Sequence, residues 1–528
     1  MTANEFVITS STVFTGLPAC PWVEAVGIKD GVIAAVGSNQ AVTSALPDAG
    51  IIDMPGRMVT PGLVDAHCHF VSFSRSRLLV NLKDLTSITA CREKIKAVVE
   101  KTEPGRWIVG FGWNHNLWEN KRTPTKQDLD DISPDNPIMM ARTCGHSEWL
   151  NSRALEAAGI TPASVDPPGI RFDRNPDGSL TGLLHEAREM VQKSIPPFER
   201  DQLTACIQAG QAEILKLGLT GLHSCESLEE WDMLQDMESA GKLKLRIHHL
   251  FQYYDFETLD NRGLKWLSGS DRLWLGHLKL FADGSLGSAT ALMHDPYEDD
   301  PENCGIHCLD ADELKDNVLK AYERGFSVAI HAIGDKAGTR ALDAIENGRK
   351  HCPGPWRDRV EHIQLYTPED FNRYRDLGVV ASVQPGFVRF DWPVAEKKWG
   401  PERCSRAYAW KKMMNNGIRL QFGSDAPVEP IAPILGLQAA LLRQSPDFKP
   451  EGGWYPDQCL SIEESLTGYF QTAAWMSGKE DRSGSLEPGK LADLTVFEND
   501  LKALHPKEWH DVDVEMTIIG GEVVFSKS

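Results

Sequence analysis

The stretch Pro61-Gly62-Leu63-Val64-Asp65-Ala66-His67-Cys68-His69 constrains this chain more than any other, because an apolar strand-like run ends there on two imidazoles one residue apart. Alternate side chains of a strand share a face, so His67 and His69 point one way and Cys68 the other. Two neutral imidazoles on one face suit a divalent metal of the first transition row, zinc among them. A lone His-x-His pair is equally compatible with two hydrogen-bonded histidines at a strand end. The rest of the chain has to decide.

Four further polar residues each close a short run that reads as a buried strand. They are Lys279 in Leu275-Gly276-His277-Leu278-Lys279-Leu280-Phe281, His331 in Phe326-Ser327-Val328-Ala329-Ile330-His331, His362 in Arg359-Val360-Glu361-His362, and Asp425 in Ile418-Arg419-Leu420-Gln421-Phe422-Gly423-Ser424-Asp425. Each run is followed by loop residues and then a helix-like stretch. A (β/α)8 barrel assembles its active site from polar residues at the carboxyl ends of successive parallel strands. Singly, His331 and His362 read as satisfied core histidines, Lys279 as a snorkelling lysine and Asp425 as a helix cap ahead of Pro427. Their recurrence at equivalent positions favours one shared site.

The order His-x-His, Lys, His, His, Asp resembles the metal-dependent amidohydrolase superfamily. The wording of Leu278-Lys279-Leu280-Phe281-Ala282-Asp283-Gly284-Ser285, Ile330-His331-Ala332-Ile333-Gly334-Asp335, Phe422-Gly423-Ser424-Asp425-Ala426-Pro427-Val428 and Cys144-Gly145-His146-Ser147-Glu148-Trp149-Leu150-Asn151 is similar to the amidohydrolase-3 branch, which includes N-substituted formamide deformylases. The resemblance implies an α/β fold built on a TIM-type barrel. It also implies one metal held by His67, His69 and Asp425 and a second by His331 and His362, with water and substrate at the open positions. Lys279 is the awkward member, since an ammonium beside divalent cations is repelled. Either it lies outside the first coordination sphere of a single metal, or carbon dioxide converts it to a bridging carbamate. Asp425 is the expected catalytic carboxylate, taking a proton from activated water and passing it to a leaving nitrogen. Asp65, on the face of the two histidines, is expected to orient an imidazole.

Eight parallel barrel strands are predicted around Leu63–His69, Thr220–Ser224, Leu243–Phe251, Leu273–Phe281, Phe326–His331, Arg359–Gln364, Val379–Gln384 and Ile418–Asp425. Residues 1–60 and 485–528 contain short β-type runs that cannot bury their own faces, and they are expected to pair into a small β-sandwich beside the hydrolase barrel of 61–484. Residues 71–218 are far longer than a crossover needs and read as an inserted lid domain. Trp113 and His146, in branch motifs of that insertion, are candidate substrate-binding residues, as is His223 at the end of the second strand. Asp283, just past Lys279, is expected either to cap a turn or to orient a ligand.

With 41% hydrophobic and 25% charged residues the chain is an ordinary globular protein, and its formal charge of -20 with no basic run excludes nucleic acid and anionic membranes as partners. The odd count of 11 scattered cysteines reads as reduced thiols, Cys304 and Cys308 included, and no leader or spanning segment is legible, so a cytoplasmic location is the default. The expected activity is hydrolysis of a C–N bond in a small amide-type substrate by metal-activated water, with a divalent metal, zinc first, as cofactor. A metal-dependent isomerase or decarboxylase on the same barrel is the alternative, and a non-catalytic interaction protein is disfavoured because none of the six ligand positions is missing. A homodimer is compatible with the sequence.

Overall fold

All eight runs read as barrel strands form parallel strands of one sheet. They are Leu63–Cys68, Leu219–Cys225, Arg246–Gln252, Leu273–Phe281, Val328–Ala332, Arg359–His362, Val380–Val383 and Leu420–Phe422, each paired with the next in chain order. The computed structural model describes residues 5–143, 147–167 and 170–527. The eighth strand meets the first just past the strand ends, where the Asp425 amide donates to the His67 carbonyl at 2.7 Å and the His69 amide to the Ala426 carbonyl at 2.8 Å. The barrel is therefore nearly closed, and these bonds join it at the carboxyl end. Gly423 permits the approach, because a Cβ there would stand 2.5 Å from the His67 backbone nitrogen.

The strand ends fall within three residues of the sequence reading, and the two largest differences have identifiable reasons. The third strand starts at Arg246 instead of Leu243, since the Gln211 side-chain oxygen accepts from the amides of Lys244 and Leu245 and takes them out of the ladder. The eighth ends at Phe422, short of Asp425, whose φ of +60° leaves the extended region. Helix signals fared as their chemistry dictates. Asp310 and Glu313 form a capping box at the start of Ala311–Glu323, which buries Leu314, Val318, Ala321 and Tyr322 at helical spacing.

Both ends of the chain enter a second eight-stranded sheet. Glu5–Phe14, Trp22–Lys29, Val32–Gly37, Gly50–Asp53 and Met58–Pro61 join Leu494–Phe497, Val514–Ile519 and Glu522–Ser526, with Thr60 opposite Thr495 in the antiparallel pair that links the two ends. Ile8, Val26, Val59, Leu494, Val496 and Ile518 form its apolar core. The Thr495 hydroxyl donates to the Gly218 carbonyl and accepts from the Leu63 amide, which fixes the starts of the first two barrel strands.

The chain divides into two compact units, Met1–Val71 with Gln208–Ser528, and Ser72–Ile207. The smaller unit contains a six-stranded sheet ordered Arg171–Arg174, Leu180–His185, Ser147–Leu150, Ile138–Arg142, Ile108–Trp113, Val80–Asn81. Its turn at Asn175–Gly178 is closed by the Gly178 amide on the Asn175 carbonyl. Among the described residues, no helix is long and apolar enough to cross a membrane.

A buried ion pair locks the fifth and sixth barrel strands together. The Asp358 carboxylate, wholly buried, accepts from the Val328 amide at 3.0 Å, the Tyr322 hydroxyl at 2.6 Å and Arg349 Nη2 at 2.7 Å. Removing one partner of such a cluster leaves the others desolvated without compensation, which costs about 3–5 kcal/mol. Asp358→Ala should therefore lower the denaturation midpoint markedly, and Asp358→Asn, which keeps an acceptor for Val328, should lower it less. An alanine variant that melts with the parent would contradict this reading.

Candidate metal centre

His67 and His69 close the first barrel strand and Asp425 follows the eighth, so the joint between those strands brings the three together. Asp425 Oδ1 lies 3.3 Å from His67 Nε2 and 3.3 Å from His69 Nε2. One ligand atom from each residue falls within 4.8 Å of the others, a grouping compact enough for one ion. His67 is wholly buried, yet its Nε2 has no hydrogen-bond partner. A buried imidazole nitrogen left bare is costly unless something binds its lone pair, so the donor set fits a divalent metal.

The opposite nitrogen of each histidine settles which atom faces the centre. His67 Nδ1 lies 2.7 Å from Glu361 Oε2, and an ionised carboxylate only accepts, so Nδ1 carries the proton and Nε2 the lone pair. His69 Nδ1 donates to the Cys225 carbonyl at 3.0 Å, and His362 Nδ1 to Gln384 Oε1 at 2.7 Å, which in the neutral imidazole puts the lone pair of each on Nε2. Gln384 is itself oriented by donation from Nε2 to the Ser382 carbonyl. His331 is reversed: its Nε2 donates to the Gly284 carbonyl at 2.9 Å, which leaves Nδ1 as the donor atom for a ligand.

The remaining predicted ligands share this end of the barrel. The His362 ring lies 5.1 Å from that of His67 and 4.5 Å from that of His331, between centroids. Lys279, 1% exposed, has Nζ 4.3 Å from the centroid of the Phe281 ring and makes no hydrogen bond or ion pair among the described residues. As an ammonium it would push His67, His331, His362 and Glu361 down. Backbone strain concentrates in the same place, with φ of +74° at His362, +43° at Ile363 and +60° at Asp425. Non-glycine residues in that region are held there by their surroundings and cluster at functional sites.

Electrostatics keep Glu361 and Asp425 charged and His331 and His362 neutral, whereas at His67 burial, which lowers, is outweighed by the Glu361 and Asp425 charges, which hold it above its ordinary value. Burial alone would raise Glu361, but Arg359, with Nε 2.7 Å from Glu361 Oε1, and His67 hold it well below the usual carboxylate range. Burial would likewise raise Asp425, and its contacts with His67 and His69 keep it well below. Burial pushes His331 down to about 4 and His362 well below its ordinary value. Neutral imidazole with ionised carboxylate is the protonation state that binds metal.

Several expectations need correction. Asp65 orients no imidazole: its Oδ1 accepts from the backbone amides of His67 at 3.1 Å and Ser424 at 3.0 Å, tying strand one to strand eight. The carboxylate that does orient His67 is Glu361, which the sequence reading passed over although it stands beside His362 in an otherwise buried strand. Asp283 does part of both tasks offered for it. It accepts from the amides of Leu292, Ile333 and Gly334 and lies 3.4 Å from His331 Nε2. The cysteines are as expected: Cys68 is a buried thiol, and Cys304 and Cys308 are free.

The proposed substrate contacts fare less well. Trp113 is 1% exposed and packs in the core of the smaller unit, 6.3 Å from Trp118 and 6.2 Å from Trp149, with its indole N–H on the Met140 carbonyl. Its ring and its donor are both used structurally, so it is a core residue and not a pocket wall. His223 is 2% exposed and its Nδ1 lies 3.0 Å from Arg359 Nη1, which assigns it to the barrel interior instead of the substrate. His146 lies outside the described residues.

A model of the amidohydrolase family matches residues 50–525. A putative amidohydrolase, YtcJ, of Bacillus subtilis is 34% identical over 98% of this chain and 98% of its own length. The N-substituted formamide deformylase of Arthrobacter pascens is 26% identical over 96% of this chain and 95% of its own. Among solved structures, an uncharacterised metal-dependent hydrolase from Pyrococcus horikoshii superposes with a TM-score of 0.80 at 30% identity, covering 95% of this chain and 98% of that one. A second, from Pyrococcus furiosus, gives 0.78 at 28% identity over 95% of this chain and all of that one. With the family matched across nearly the whole chain and the His, His, Asp cluster in place at the barrel's carboxyl end, this protein belongs to the amidohydrolase family.

Proposed function

We propose that the protein hydrolyses a C–N bond in a small amide-type substrate, with zinc or a similar divalent ion held by His67, His69 and Asp425 and a second by His331 and His362. The observation that carries this is the bare, buried His67 Nε2 beside His69 and Asp425. Bound there, a divalent ion supplies Lewis acidity, which lowers the pKa of water towards roughly 7 and polarises a carbonyl. The residues do the rest. Asp425, whose side chain keeps 13% of its surface accessible, takes the proton of the attacking water on its carboxylate and returns it to the departing nitrogen. Phe281, half-buried against His331, and Phe387, stacked on His362, make the walls nearest the centre apolar. They favour a neutral substrate with an aromatic or aliphatic substituent.

Lys279 is assigned as a carbamate. The ammonium first gives up one proton to solvent; the free amine attacks carbon dioxide, a C–N bond forms as one C=O π bond opens to carboxylate, and a second proton leaves to solvent, so that a cation becomes a bidentate anion. Charge supports the assignment: with Lys279 as ammonium, it, two divalent ions and Arg359 would crowd around Glu361 and Asp425, the two carboxylates held well below the usual range there. Lys279→Ala should lose bound metal and activity, and small carboxylic acids added with metal should restore part of both. An unmodified Lys279 in an active, metal-loaded crystal would rule the carbamate out.

Chelation should abolish turnover and added zinc should restore it, while oxygen from labelled water should appear in the carboxylic product. Turnover without incorporation of that oxygen would point to the isomerase or decarboxylase alternative. Asp425→Asn should lower turnover by about a hundredfold or more, the usual scale for a lost general acid-base, with KM changed less. Near-normal turnover would show that another group carries the proton.

A further inference from the structure

The interior of a (β/α)8 barrel is ordinarily filled by branched apolar side chains. Here a column of polar groups runs through it instead. Arg359, wholly buried on the sixth strand, reaches three elements at once: Nε lies 2.7 Å from Glu361 Oε1, and Nη1 donates to the Ala66 carbonyl at 3.0 Å and to His223 Nδ1 at 3.0 Å. The column continues through His248, 4.7 Å from His223 between ring centroids. His248 Nε2 lies 3.0 Å from His277 Nδ1, and His277 Nε2 donates to the Arg357 carbonyl at 2.8 Å.

Two roles can be weighed for it. A proton path from the metal centre to the barrel floor would have to pass through the guanidinium, which has donors only and does not give up its proton in proteins. The column is broken as a relay at Arg359. What Arg359 can do is fix charge and geometry. It sits beneath Glu361, whose other oxygen takes the His67 Nδ1 proton at 2.7 Å, and it grips the carbonyl of Ala66, the residue before His67. Guanidinium, carboxylate and imidazole thus stand in series, ending on the bare Nε2.

Resting on the metal reading above, we propose that Arg359 is a positioning residue that, through Glu361 and the Ala66 carbonyl, holds the His67 imidazole with its Nε2 lone pair turned to the metal position. Arg359 touches neither ion nor substrate. His223, supported by His248 and His277, is the acceptor that keeps the guanidinium from turning away from Glu361.

The test separates metal affinity from stability. Removing one member of the pair leaves a buried charge unpaired and endangers folding, whereas replacing both by neutral groups of similar shape is often neutral or stabilising. The double variant Arg359→Met with Glu361→Gln, and the single Glu361→Gln, are stripped of metal and titrated with zinc against a chromophoric chelator, with circular dichroism and melting recorded in parallel. The expected result is a double variant that melts at or above the parent and binds zinc about 10–100-fold more weakly, the usual loss when an outer-sphere partner of a metal-bound histidine is removed. Excess zinc should recover turnover. If the folded variants bind zinc as the parent does, the column is structural only and the proposal falls alone. A parent that binds no divalent ion overturns the metal reading and this proposal together.

Discussion

The hydrogen bond from His67 Nδ1 to Glu361 is the interaction on which the rest of the site depends. A neutral imidazole has one proton and one lone pair, and burial forbids leaving either to chance. By accepting the hydrogen bond from Nδ1, Glu361 commits the lone pair to the side where His69 and Asp425 stand. The same device recurs with the Cys225 carbonyl, Gln384 and the Gly284 carbonyl for the other three histidines. A metal centre built this way is oriented before any ion arrives, so little reorganisation is needed on binding.

That orientation presupposes the joint between the first and eighth strands. His67, His69, Asp65, Ser424 and Asp425 exchange backbone and carboxylate hydrogen bonds there, with Gly423 allowing the close approach. The strained φ values at His362 and Asp425 belong to the same region. Strain of that kind persists only where the surroundings over-determine it, and buried hydrogen bonds on both sides of these residues provide that. The cost falls on fold stability, and the benefit is a set of ligands whose rotamers are not free.

The barrel and the six polar residues at its strand ends were legible in the sequence because both follow from short-range rules. Strand alternation places His67 and His69 on one face, and apolar runs ending in Lys279, His331, His362 and Asp425 mark equivalent positions along a repeating unit. What escaped depends on contacts between distant segments. Glu361 looks like one charge in a four-residue strand until the first strand is known to lie across from it. Asp65 shares a face with the histidines, which suggested an imidazole partner, but the return of the chain at Ser424 gives its carboxylate backbone amides instead. Trp113 carried a motif and an aromatic ring, and neither tells whether the ring faces a cavity or, as here, the Trp118 and Trp149 core. Arg359 was invisible for the opposite reason, since a wholly buried arginine inside a barrel strand contradicts the apolar pattern used to find the strand.

The central claim is that hydrogen bonding from behind selects the ligating nitrogen of each histidine. Its most direct test is a crystal structure of the metal-loaded protein with anomalous data at the metal edge. The account predicts density within coordination distance of Nε2 of His67, His69 and His362 and of Nδ1 of His331, with Glu361 still on His67 Nδ1. Metal on His67 Nδ1, or a metal bound away from this cluster, would contradict it.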